Sequence, residues 1–88
     1  MIENIIPMTT LANLTIGESA EVSNVHGETK VTKRLMEMGV VPGVTIRVVK
    51  SAPFGDPIEI RLRGYSLAMR RSEAQTIEVR KSGVETQK

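Results

Sequence analysis

The segment Ile58-Glu59-Ile60-Arg61-Leu62-Arg63 constrains this chain more than any other. Apolar and charged residues alternate without a break, so one face is buried and the other is wet. Ala20–Val25, Val44–Val48 and Thr76–Arg80 carry the same period-two pattern. Ala20, Val22, Ile58, Ile60, Leu62, Ile77 and Val79 are assigned to the inner face. Four such segments in a chain of 88 residues predict an antiparallel sheet. A flat sheet this small leaves unpaired edges, and curling into a small barrel covers them.

The connections change period. Val31, Leu35 and Met38 fall on one helical face. Thr29 is placed as N-cap and Gly39 as the residue that lets the chain leave the helix at positive φ. Val41-Pro42-Gly43 reads as a type II turn, with Pro fixing φ and Gly permitting φ > 0. Ala52–Pro57 is a loop carrying two prolines and Phe54. Gly64-Tyr65-Ser66 is read as a corner in which Ser66 caps a second short helix over 67–74. The fold class expected is mainly β: a small SH3-like β-barrel with two short α-helices. The domain is expected over 9–81, preceded by a loose leader over 1–8 and followed by a frayed polar tail over 82–88.

What the chain lacks excludes much chemistry. It has no Cys, one His (His26), one Tyr and one Phe. Disulfides, thiolate metal sites and thiol catalysis are therefore out. Two aromatics cannot build a stacking platform for single-stranded nucleic acid or an aromatic groove for proline-rich peptides. His26 with the scattered carboxylates Glu21 and Glu28 makes a poor iron site. Met36 and Met38 project in different directions from a helix and cannot easily share one ion. No cofactor, metal site, catalytic residue or enzymatic activity is expected. No apolar run is long enough for a membrane helix. The start lacks the features of a secretory signal, which makes the cytoplasm the expected location.

Charge is unevenly spread. Residues 1–44 hold three basic and five acidic groups, and residues 45–88 hold nine and five. Glu59, Glu73 and Glu78 interleave with the second set, which suits a solvated face better than a nucleic-acid footprint.

Two stretches carry a resemblance. Arg34-Leu35-Met36-Glu37-Met38-Gly39-Val40-Val41-Pro42-Gly43 resembles the helix-plus-turn motif of the ferrous iron transport protein A (FeoA) family. Gly64-Tyr65-Ser66-Leu67-Ala68-Met69-Arg70-Arg71-Ser72-Glu73-Ala74, ending in Ile77-Glu78-Val79, resembles a second motif of that family. The resemblance covers about residues 9–80. It implies an SH3-like barrel in the cytoplasm that supports ferrous iron uptake. The partner it implies is the membrane permease FeoB, which has a cytoplasmic GTPase domain. Neither nucleic acid binding nor membrane insertion is expected. A related domain forms the C-terminal part of metal-dependent repressors, so the alternative reading is an SH3-like regulatory module. This chain has no room for a helix-turn-helix beside the barrel.

Five residues are candidates for partner contact: Met36, Phe54, Tyr65, Met69 and Arg70. An exposed Met adapts to a partner surface, and Tyr and Arg are common interface anchors. Two prolines stiffen the Phe54 loop, which lowers the entropy lost on binding. A simpler reading stands beside each. Leu35 and Met38 serve as core, Gly64 and Ser66 as a corner, and Arg70 and Arg71 as solvated or paired with Glu73 or Glu78. Homo-oligomerisation through an exposed barrel edge is left open.

Overall fold

The computed structural model describes residues 8–27 and 29–81. The leader, the tail and Glu28 lie outside the described residues, apart from Met8. The order is β1 (Met8–Thr10), a 3-10 turn (Leu11–Asn13), β2 (Ser19–Val25), α1 (Lys30–Glu37), β3 (Thr45–Ser51), β4 (Ile58–Leu62), β5 (Tyr65–Met69), α2 (Arg71–Ala74) and β6 (Ile77–Lys81). Met8 is thus the first strand residue, one position inside the expected leader.

All six strands belong to one antiparallel sheet in the order β1-β6-β2-β3-β4-β5. Register shifts between Val22 and Asn24 and between Val48 and Lys50 bend the sheet on itself. The inner face is aliphatic: Ala20, Val22, Ile46, Val48, Ile58, Ile60, Leu62, Ile77 and Val79 are buried together. All seven positions assigned to the inner face from alternation are there. Burying each of the larger side chains contributes about 1.5–3 kcal/mol.

Helix α1 ends as Gly39 requires. Val40 donates to the Leu35 carbonyl at 3.0 Å and Gly39 to the Met36 carbonyl at 3.0 Å, with Gly39 at φ 104°. This is a Schellman cap, and its apolar clasp is the buried pair Leu35 and Val40. Thr29 caps the other end by accepting from the Thr32 amide. The buried stripe is Thr32 and Leu35. Met38, expected in the core, is exposed at the helix C-cap, just before the chain reverses at Gly39.

The largest departure from expectation lies at 64–74. Residues 65–69 form a strand rather than the first turns of a helix. Arg63 (φ 50°) and Gly64 (φ 88°) are the two central residues of a tight hairpin joining β4 to β5. Two successive positive φ values match the right-handed twist of the strands they join. Tyr65, Leu67 and Met69 also alternate, continuing the pattern of β4, and that signal identifies the strand. Ser66 caps nothing. Helix α2 starts after Arg70, whose amide donates to the Glu73 side chain at 3.0 Å.

A left-handed conformation at a residue other than Gly, Asn or Asp costs about 1–2 kcal/mol. Arg63→Asn is expected to stabilise the fold by roughly 1 kcal/mol, raising the thermal midpoint by about 4–8 °C. Differential scanning calorimetry of the variant against the parent chain reads this directly.

Candidate interaction surface

The described residues include no group of three or more His, Cys, Asp or Glu placed to hold a metal ion. The surface features are instead an ordered loop, two helix ends and a set of exposed apolar side chains.

The loop between β3 and β4 is hydrogen-bonded to itself. Gly55 donates to the Ala52 carbonyl at 2.8 Å and Ala52 donates to the Pro57 carbonyl at 3.0 Å. Arg71 then fixes it from outside. Its backbone amide donates to Asp56 Oδ1 at 2.8 Å and its Nε to the Gly55 carbonyl at 3.0 Å. The same guanidinium, through Nη1, donates to the Ala12 carbonyl in the 3-10 turn. Three stretches far apart in sequence meet on one side chain. Phe54 rides on this anchored loop and is 98% exposed.

Tyr65 opens β5 and lies across the end of α1. A Cβ built on Gly39 would stand 3.3 Å from the Tyr65 hydroxyl and 3.6 Å from Leu62 Cδ1. The phenol therefore rests over the helix terminus that also carries Met36 and Met38, and all three keep exposed surface. Arg34 of α1 reaches Glu73 of α2 at 3.6 Å. That ion pair links the Tyr65 end to the region of Arg70 and Arg71.

Four of the five partner candidates, Met36, Phe54, Tyr65 and Arg70, are thus exposed. Met69 is not. It ends β5 facing inward at 3% exposure, within the aliphatic core. Its assignment to a partner surface followed from treating 67–74 as a helix; on a strand, Met69 shares the inner face with Leu67.

Two residues were missed. The sequence suggests an Arg71 that is solvated or paired with a glutamate, yet it bonds to backbone carbonyls. Nothing in its local sequence announces this, because its partners lie 16 and 59 positions away. Ile16 is 61% exposed and borders open recesses on both of its sides, one reaching Arg71 and the other Arg47 and Arg61. An aliphatic residue caught between Thr15 and Gly17 in a turn is the signal for it. Beside it, the Glu18 carboxylate accepts from the Thr15 amide at 2.7 Å. That hydrogen bond, helped by Lys81, lowers the Glu18 pKa below its ordinary value.

Comparison with known proteins places this architecture. Residues 9–81 match the model of the FeoA domain family. The chain belongs to the FeoA family. A curated relative from Porphyromonas gingivalis, an Fe(2+) transport protein A/Fe(2+) transporter FeoB fusion protein, is 42% identical over 69 residues. The match covers 78% of this chain and 8% of that protein. The solution structure of a FeoA-like protein from Clostridium acetobutylicum superposes with TM-score 0.80 at 40% identity, covering 88% of this chain and 90% of that one. The Stenotrophomonas maltophilia FeoA, solved with zinc and described as a prokaryotic SH3 domain protein, superposes with TM-score 0.73 at 33% identity, covering 81% and 88%. The SH3-like expectation therefore holds, with the qualification that no described pairing joins β1 to β5. A manganese-dependent transcriptional repressor shares the fold over 38% of its length, TM-score 0.80 at 17% identity. FeoA proteins are small accessory domains of ferrous iron transport, and no described helix here is long and apolar enough to cross a membrane.

Arg71→Ala leaves two partly buried carbonyls without their donor and is expected to destabilise by about 2–3 kcal/mol. Arg71→Lys is expected to recover little, because an ammonium lacks the planar fork that reaches both carbonyls. Urea unfolding measures the loss, and faster amide exchange at 54–56 locates it. For Glu18, the lowered folded pKa sets the sign. Its contribution is present above the ordinary value of about 4.5 and is lost as pH falls through the lower folded value. Glu18→Gln is expected to be less stable than the parent at neutral pH and equal to it in strong acid, as read by denaturant midpoints across pH.

Proposed function

We propose that this chain acts in the cytoplasm as an accessory domain of ferrous iron uptake that docks on the cytoplasmic part of the permease FeoB. The observation that carries this reading is the Porphyromonas gingivalis fusion. A domain 42% identical to this one is joined there in one chain to an Fe(2+) transporter FeoB. Covalent linkage raises the effective concentration of two modules that must meet. A separate domain has to achieve the same encounter through a binding surface.

The surface we assign runs from Met36 and Tyr65 at the end of α1 to Arg70 and the Phe54 loop. Phe54 is its anchor. An aromatic side chain on a loop already held by four hydrogen bonds loses little conformational freedom when it enters a pocket. Docking modulates transport only by binding one arrangement of the permease more tightly than another. The domain supplies shape and affinity, and nucleotide and metal chemistry stay with the permease. The alternative of a repressor-type regulatory module has the shared fold in its favour and nothing more specific.

The test is isothermal titration of this chain with the purified cytoplasmic domain of the permease, without nucleotide and with GDP or a GTP analogue. Binding is expected, with Phe54→Ala weakening it by about thirtyfold or more, as for a central interface aromatic. Folding is expected to be unchanged, since Phe54 touches no core residue. No binding in any nucleotide state at high micromolar concentration would overturn the proposal.

A further inference from the structure

We propose that Arg47 and Arg61 form a carboxylate-binding site on the outer face of the sheet. Its occupant is an acidic segment of a partner protein with an aliphatic residue beside its carboxylates.

The two arginines stand opposite each other on β3 and β4, and both are exposed. Side chains at opposed positions are separated by about 5 Å at Cβ, and like charges placed there repel. The remaining strand charges avoid this. Glu21 pairs with Arg80 at 3.8 Å, Glu59 with Lys50 at 3.8 Å and Glu78 with His26 at 2.9 Å. Lys81 pairs with Glu18 at 3.3 Å. Among the described residues, Arg47 and Arg61 are the strand cations with no acidic partner.

Their neighbours extend the donor set. The next position across the sheet from Arg47 is Ser19 on β2, and from Arg61 it is Ser66 on β5. A row of serine, arginine, arginine and serine therefore crosses four strands. Each guanidinium offers a planar fork that matches the two oxygens of a carboxylate, and an anion between the pair removes their repulsion. The apolar half of the site selects among anions. Ile16, Gly17, Val48 and Val49 line the same open recess as the two arginines, and Ile16 is largely exposed. A bare phosphate leaves that surface wet, whereas a peptide with an aliphatic residue next to its carboxylates covers it.

This site does not depend on docking to the permease, and its test uses neither that protein nor nucleotide. The full chain is titrated with a blocked peptide of sequence Glu-Leu-Glu-Glu and, separately, with inorganic phosphate, followed by amide shifts and calorimetry at low and high salt. Shifts are expected at Ile16, Arg47, Arg61 and Ser66, with affinity falling as salt rises. Arg47→Gln and Arg61→Gln are each expected to weaken the peptide by about tenfold, as for one lost charge-assisted contact. Both variants are expected to unfold at or above the parent's temperature, because the repulsion is gone. Lys33→Gln removes the same charge from exposed α1 and is expected to leave the affinity within about twofold, since Lys33 does not line the recess and exposed charges apart from it are screened by salt. Absence of shifts at low salt would overturn the site. Equal weakening by Lys33→Gln would overturn its location, and tighter binding of phosphate than of peptide would overturn the class of occupant.

Discussion

The guanidinium of Arg71 holds together what the sheet leaves apart. The hydrogen-bonded order ends at β1 on one side and β5 on the other, so backbone pairing alone does not complete the barrel. The segments that follow those two edge strands, the 3-10 turn and α2, pack against each other instead. Arg71 ties them with its bond to the Ala12 carbonyl and reaches into the β3–β4 loop with its bond to Gly55. A charged donor shared between two partly buried carbonyls is stronger than a neutral pair and difficult to replace. The position of Phe54 depends on it.

A second constraint sits at the other end of the same surface. Gly39 reverses the chain after α1 with a positive φ, and a Cβ there would crowd the Tyr65 hydroxyl at 3.3 Å. One glycine thus stops a helix and seats an aromatic ring from a different strand. The exposed apolar groups of the surface stand on ordered backbone at both ends.

Much of the fold was legible because it follows from period. Alternation placed Ala20, Val22, Ile58, Ile60, Leu62, Ile77 and Val79 inside, and burial of aliphatic side chains is indifferent to the detail of how strands meet. Gly39 and Pro42-Gly43 were legible because backbone geometry is a local property. The stretch 64–74 misled because Leu67, Ala68 and Met69 favour helix in isolation, while pairing with β4 offers a strand its hydrogen bonds. Propensity of a few tenths of a kcal/mol per residue loses to a whole ladder. That one error placed Met69 on the surface.

The sequence by itself determined the period of each segment, the aliphatic inner face, the turns at Gly39 and Gly43, and the absence of thiol chemistry. It also carried the two motifs that mark the FeoA family. Tertiary structure alone decided that Phe54 is displayed rather than folded back, that Arg71 bonds to Ala12 and Gly55, and that Arg47 faces Arg61. The physical reason is the range of the interactions. Burial preference and backbone sterics act within a few residues and are written into local pattern. A hydrogen bond across 59 positions, or a like-charge contact set by strand register, exists only after the chain has closed on itself.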